Sequence, residues 1–289
     1  MQLNTFSIAA CDLDEQAWGS AVASKFLVAG AVVNWARAGV DAVATQAFAK
    51  MGYGPDGLEM MAAGKSAQET LAELLAVDSD REQRQVGIVD ANGGVAAYTG
   101  KECFDWAGHL LGEGFTCQGN ILTGAETLAA MAETFKSTIG ELADRLAAAL
   151  RAGDLTSGDR RGKQSAAVVV VRPNGSYGGD TDRYLDLRVD DDPEPVAKLL
   201  QLVATHHLLF GDGNPEDLLP IDSELARELQ TMLAAQGYYS GEWDTATKEA
   251  FRALVGNENL EERWSLDKEP DKIDRVALNY LRNRFGSAH

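Results

Sequence analysis

The sequence predicts an α+β fold, with sheets covered by helices on their outer faces, followed by a small and mostly helical C-terminal domain. Three observations lead there. Apolar patterns run in the order strands, helix, strands, two helices, strand, as expected of packed sheet and helix layers. Past Leu187 the composition changes to an acidic, proline-marked stretch, VDDDPEPV, and then to GDGNPEDLLPID, a linker by its Gly, Pro and Asp content. The 289 residues, 45% of them hydrophobic, suit one large domain plus a small one. The expected division is a first domain over 1–210, a linker over 211–218 and a helical domain over 219–289.

Residues 5–10 (TFSIAA) and 18–25 (WGSAVASK) read as paired strands of small and β-branched residues around the polar turn DLDEQ. VDAVATQ, at 40–46, is a third strand. Ser66-Ala-Gln-Glu69 has the spacing of a capping box and opens a helix carrying Leu71, Leu74 and Leu75. Residues 84–90 and 94–99 make a hairpin across Asn92-Gly93. Another strand covers 115–122, and two helices follow over GAETLAAMAETF and IGELADRLAAALRAG, where apolar residues recur at helical spacing. SAAVVVV, at 165–171, is a continuous apolar run and predicts a strand buried on both faces. One more helix follows VDDDPEPV. The C-terminal domain has helices over 223–236, 245–255 and 273–285, with the turn GYYSGEWD between the first two.

The 44 acidic against 26 basic residues give a formal charge of −18, which repels nucleic-acid phosphates and anionic lipid. Neither nucleic acid nor membrane is therefore an expected partner. Cys11, Cys103 and Cys117 are odd in number and widely spaced, which fits reduced thiols better than a disulfide framework. The first residues lack the basic and apolar regions of a signal peptide, and no apolar run reaches the length of a membrane span. The expected location is cytoplasmic.

The strings TFSIAACD, WGSAVASKF, NWARAGVDAVATQ, YGPDGLEMMAAG, RQVGIVD, WAGHLLGEGFTCQGN, GDRRGKQSAAVVVV and DRYLDLRVDDDPEPV stand in this order in the chain. Together they closely resemble a bacterial family, domain of unknown function 1028, placed among the N-terminal-nucleophile hydrolases. The resemblance spans 4–210 and implies the four-layer αββα sandwich of that superfamily; it supplies no substrate. The segment LQTMLAAQGYYSGEWDTATKEAFRALVGNENLEER resembles a peptidoglycan-binding-like helical module, a resemblance that speaks to fold more than to ligand.

In the superfamily a Thr, Ser or Cys begins the first strand, and its own α-amino group, of pKa about 8, acts as the base. Thr5 is the candidate here. Met1, Gln2, Leu3 and Asn4 precede it, so its nitrogen is an amide that takes no proton until the Asn4–Thr5 bond is cut. Either that cleavage occurs, or the mechanism differs, or Thr5 is an ordinary strand residue favoured by its β propensity. Ser7 lies on the same strand face two residues on. Ser24 and Lys25 end the second strand, beside the start of the first in an antiparallel hairpin. The superfamily often places a carboxylate there, and Ser24 departs from that pattern. Lys25 or Arg37 supplies a positive charge to lower the amine's pKa, or each makes a surface salt bridge.

Thr45 and Gln46, at the end of the third strand, are candidate ligand-binding residues. In WAGHLLGEGFTCQGN, His109 is a candidate acid or base, or a structural histidine. Gly112 and Gly114 permit a tight loop, while Gln118 and Asn120 donate to an oxyanion or satisfy backbone groups. Asn120 is favoured for function because Gly-Asn ends a strand. The stretch GDRRGKQS, 158–165, clamps a carboxylate or a phosphate, or is a solvated turn; it lacks the spacing of a phosphate-binding loop. Asp180, Asp182 and residues 190–192 read as a solvated acidic rim. The cysteines and His109 have no zinc-site spacing, so no metal and no cofactor are assigned.

Two functional expectations follow. One is an amide-bond hydrolase acting on a small amide or peptide, with Thr5 freed by processing and Asn120 holding the oxyanion. The other is a catalytically inactive ligand-binding or interaction protein on the same fold. Superfamily members often associate, so assembly with further copies stays open.

Overall fold

The computed structural model describes residues 5–156, 159–211, 213–239 and 241–286. The chain divides into two compact units, Met1–Val203 and Ala204–His289.

The first unit opens with β1 (Thr5–Asp12) and β2 (Ala17–Ser24), paired antiparallel around the expected turn. A short helix α1 (Ala29–Val33) leads into β3 (Asn34–Arg37) and β4 (Asp41–Ala47), then α2 (Tyr53–Ala62) and α3 (Ala67–Ala76). The capping box of α3 is present: Ser66 accepts from the Glu69 amide, and the Glu69 carboxylate accepts from the Ser66 amide. β5 (Arg84–Asp90) and β6 (Val95–Thr99) form the predicted hairpin. β7 (Gly108–Gly112) turns through Glu113 and Gly114 into β8 (Phe115–Asn120), with Gly114 at φ +69° where a Cβ would strain the turn. Helices α4 (Glu126–Ser137) and α5 (Leu142–Leu155) follow, then β9 (Ser165–Val171), β10 (Arg183–Val189) and α6 (Pro195–Phe210).

Antiparallel pairing assembles two sheets, one of six strands in the order β10-β9-β2-β1-β8-β7 and one of four in the order β3-β4-β5-β6. Three apolar clusters show what each face covers. Phe6, Ile8, Cys117 and Val168 of the six-stranded sheet pack against Leu128 and Phe135 of α4 and Leu146 and Leu150 of α5. Val43, Val86 and Ile88 of the four-stranded sheet pack against Tyr53 of α2 and Leu71 and Leu74 of α3. Between the sheets lie Ala9, Trp18 and Val22 from one and Ala42, Ala44 and Val89 from the other. The first unit is therefore α+β with antiparallel sheets.

Several elements escaped the sequence reading. α2 begins Tyr-Gly-Pro, which reads as a loop, yet Pro55 stands in the first turn where its missing N–H has no helical partner to lose. β7 is a Gly-bounded edge strand read as loop, and β10 has too mixed an alternation to stand out.

The second unit holds β11 (Leu218–Pro220), α7 (Ser223–Ala235), α8 (Thr245–Asn257), β12 (Lys272–Asp274) and α9 (Arg275–Phe285). The stretch read as a linker thus includes β11, which pairs with β12, the start of the segment read as one helix. Asp222, Asp244 and Asp274 cap the three helices by accepting from their first-turn amides. Leu229, Leu233, Phe251, Trp264 and Leu278 form its core. Among the described residues no helix is long and apolar enough to cross a membrane.

Candidate functional site

Strand alternation builds the site. Along β1, Phe6, Ile8 and Ala10 face the helices, while Thr5, Ser7, Ala9 and Cys11 face the four-stranded sheet. The layer between the sheets is therefore graded. Its Cys11 end is apolar, and its Thr5 end is a buried polar network.

Thr5 and Ser24 are register partners across β1 and β2, and their hydroxyl oxygens lie 3.1 Å apart. On the other side of β1, Thr5 is the register partner of Asn120. Ser7 donates to Gln46 Oε1 at 2.7 Å and accepts from Gln118 Nε2 at 2.7 Å. Gln46 Nε2 in turn donates to Gln85 Oε1 at 2.8 Å and reaches the Thr5 carbonyl at 3.4 Å. Asn120 Nδ2 donates to the same Gln85 oxygen at 2.9 Å. The Gln85 nitrogen lies 2.8 Å from the Gly119 carbonyl, 3.0 Å from that of Gly108 and 2.9 Å from Thr99 Oγ1. Thr5, Ser7, Gln46, Gln85, Gln118 and Asn120 are all buried. A network this dry holds its geometry, because each amide that turns away leaves a partner unpaired.

Gly87 makes room for it. A Cβ there would stand 2.1 Å from Gln118 Oε1 and 2.3 Å from Thr116 Oγ1. Gly87→Ala is expected to push Gln118 off Ser7 and to destabilise the first unit by about 1–3 kcal/mol, the usual range for overpacking, as read by denaturant unfolding. A neutral result would show that the amide side chains shift freely.

The strand ends beside the network carry backbone strain. Ala47 follows Gln46 at φ +66°, and Ile121 follows Asn120 at φ +54°, a conformation that a β-branched residue rarely adopts. Such residues cost about 1–3 kcal/mol each and gather at functional sites.

A cleft of about 590 Å³ opens at this end of the six-stranded sheet. Ser24, Phe6 and Ala23 form part of its wall, α5 contributes Arg151 and Asp154, and the turn after α5 contributes Arg160 and Lys163. Its size is that of an ordinary small-molecule site.

Thr5, Ser7, Ser24, Gln46, Gln118 and Asn120 thus come together. Four other candidates do not join them. Thr45 points to the opposite face of β4 from Gln46, and its hydroxyl donates to the Lys50 carbonyl at 3.4 Å. Lys25 is exposed; its ammonium donates to the Lys163 carbonyl at 3.1 Å. Arg37 pairs with Glu59 at 2.6 Å and is the register partner of Asp41, five residues along β4 from Gln46, or about 17 Å at the strand rise. Among the described residues neither cation makes a hydrogen bond or an ion pair with Thr5. His109 stands on the edge strand β7, where its Nδ1 is 2.9 Å from Thr99 Oγ1 and desolvation lowers its pKa. It meets the network through Thr99 and not through Thr5. In the 158–165 stretch, Gly158 lies outside the described residues.

Sequence reasoning missed Gln85, the hub. A signal was available: Gln85, Gly87 and Val89 share one face of β5, so a polar residue occupies an inward position of a strand otherwise apolar on that face. The three cysteines are buried, and burial pushes the thiols of Cys11 and Cys103 up to about 11.

Comparison with known proteins gives three findings. The model described as "Family of unknown function (DUF1028)" matches residues 5–199. The model described as "Putative peptidoglycan binding domain" matches residues 209–281. A crystal structure of a DUF1028 protein from Silicibacter pomeroyi is similar at 30% identity and a TM-score of 0.64, covering 71% of this chain and 89% of that one. No curated protein matches.

Proposed function

This chain belongs to the family of unknown function DUF1028, and on that premise we propose that it is an amide-bond hydrolase of the N-terminal-nucleophile type, acting on a small amide or peptide. The fold on this reading is the four-layer αββα sandwich of that superfamily, which the three apolar clusters support.

One observation carries the reading. Thr5 begins β1 inside a buried polar layer, and among the described residues its hydroxyl has one side-chain hydrogen bond, to Ser24. A serine hydroxyl is no base at neutral pH, so the base that suits Thr5 is its own α-amine, once the Asn4–Thr5 bond is cut. The free amine accepts the Oγ1 proton as the oxygen attacks the substrate carbonyl. Asn120 and backbone amides hold the oxyanion. The intermediate collapses to a Thr5 ester, and the departing amine leaves with the proton. Water then adds to the ester, gives its proton to the Thr5 amine, and releases the carboxylic acid with Thr5 restored. Gln85 positions the site by fixing Asn120 and Gln46.

The competing reading, a non-catalytic binding protein, is favoured by Asn4 preceding Thr5 in the sequence, which makes that nitrogen an amide. Three forms separate the two: the chain starting at Met1, a chain starting at Thr5, and the latter with Thr5→Ala. On a panel of small amides and dipeptides, only the Thr5-start chain is expected to turn over, with Thr5→Ala lowering the rate by about 10³-fold or more. Equal turnover by the Met1 form retires the free-amine mechanism. Silence from all three favours the binding protein.

A further inference from the structure

The cleft beside Ser24 carries charges that are unevenly matched. Lys163 Nζ donates to Asp154 Oδ2 at 3.0 Å and to Glu194 Oε2 at 2.8 Å, so that ammonium is answered twice. Asp159 pairs with Arg161 at 3.2 Å and accepts from the Lys25 amide at 2.9 Å. Arg151 lies 3.7 Å from Asp154. Arg160 also lines the cleft, is exposed, and makes no ion pair among the described residues. A chain with 44 acidic and 26 basic residues has acids to spare, so an unmatched guanidinium on a cleft wall stands out.

Its backbone is pinned close to the network. The Arg160 amide donates to the Ile121 carbonyl at 3.2 Å, and Asp159 bridges to Leu122. Ile121 follows Asn120, the register partner of Thr5. The guanidinium therefore springs from the strand end that presents the oxyanion candidate, into the cleft that Ser24 walls.

The geometry points to Arg160 as the residue that binds a free carboxylate on the substrate, which makes the substrate class a small amide carrying a carboxylate. This rests on the hydrolase reading above. A guanidinium offers two parallel N–H donors, the geometry a carboxylate accepts. One unmatched cation suits a monoanion. A phosphate dianion would face Asp154, Asp159 and Glu194, whose charges Arg151, Arg161 and Lys163 already answer, leaving Arg160 alone to balance it among the described residues.

The test uses N-acetylglycine, N-acetyl-β-alanine and N-acetyl-γ-aminobutyrate, each beside its methyl ester, with amine release from the Thr5-start chain as readout. At least one acid is expected to exceed its ester by about tenfold or more in kcat/KM, the worth of one charge-assisted hydrogen bond. Arg160→Ala should bring that acid down to its ester's level, mainly through KM, and Arg160→Lys should recover part of the preference. A loss shared equally by acid and ester, or an ester preference, overturns the assignment. Calorimetric titration of the same pairs into the Thr5→Ala chain gives a second arm. Acid binding that Arg160→Ala abolishes, without turnover in the Thr5 form, sinks the hydrolase and keeps the carboxylate site. Turnover indifferent to the carboxylate does the reverse. Absence of both binding and turnover overturns the carboxylate site as well.

Discussion

Replacing Asp41 with asparagine is expected to stabilise the first unit by about 4 kcal/mol at pH 7 and by almost nothing at pH 4. Asp41 begins β4, is fully buried, and neither of its carboxyl oxygens has a hydrogen-bond partner among the described residues. Burial pushes its pKa up to about 8, against an opposing pull from Arg37, with the charge of Asp90 adding a lesser upward push. Arg37 stands next to it in register but is paired with Glu59 of α2. The folded protein thus holds Asp41 protonated across a range where the unfolded chain ionises it near pH 3.9. A raised folded pKa means that this contribution is fully present below about pH 4 and drains away as pH rises toward 8. Three pH units at about 1.36 kcal/mol each give the 4 kcal/mol expected at pH 7. Asparagine keeps the shape and does not titrate. Urea unfolding of both proteins at pH 4 and pH 7 decides the matter, since a gap independent of pH would mean that Asp41 is not held protonated.

Gln85→Leu is expected to cost about 3–5 kcal/mol and to disable any activity that depends on Asn120. The substitution keeps the bulk and removes an amide that accepts from both Gln46 and Asn120 and donates toward Thr99, Gly108 and Gly119. Each buried group left without a partner costs about 1–3 kcal/mol. Gln46 retains a long contact with the Thr5 carbonyl, which softens its share. Denaturant unfolding reads the loss, and a change below about 1 kcal/mol would mean that the network repacks around leucine.

The elements that the sequence made legible are those whose signals are local. The turn between β1 and β2, the Ser66–Glu69 capping box, the β5–β6 hairpin and the valine run of β9 each depend on residues a few positions apart. α2 was hidden by Gly54 and Pro55, whose propensities give way to packing: a Cβ on Gly54 would lie 2.3 Å from the Trp35 ring, so the helix can seat there only as glycine. β7 and β11 are short and at sheet edges, where neighbours across the sheet decide the pairing.

The site divides in the same way. Thr5, Ser7 and Ser24 were placed together by the sequence because strand phase and hairpin antiparallelism fix which residues share a face and an end. Asn120 reads only as a strand end, and its place beside Thr5 comes from the long-range pairing of β1 with β8. Thr45 stands apart from the network that holds Gln46 because adjacent strand residues face opposite ways. The charges of Lys25 and Arg37 were within reach on paper only; Lys163 and Glu59 hold them elsewhere. By itself, then, the sequence determined the strand order's local pieces, the caps and the phase of each strand, all set by backbone geometry and side-chain periodicity. Only the tertiary structure decided that Gln85 is the hub and that, among the described residues, Asp41 has no hydrogen-bond partner and Arg160 no acid. Those facts depend on which groups meet across the two sheets and the cleft, and on which of them water no longer reaches.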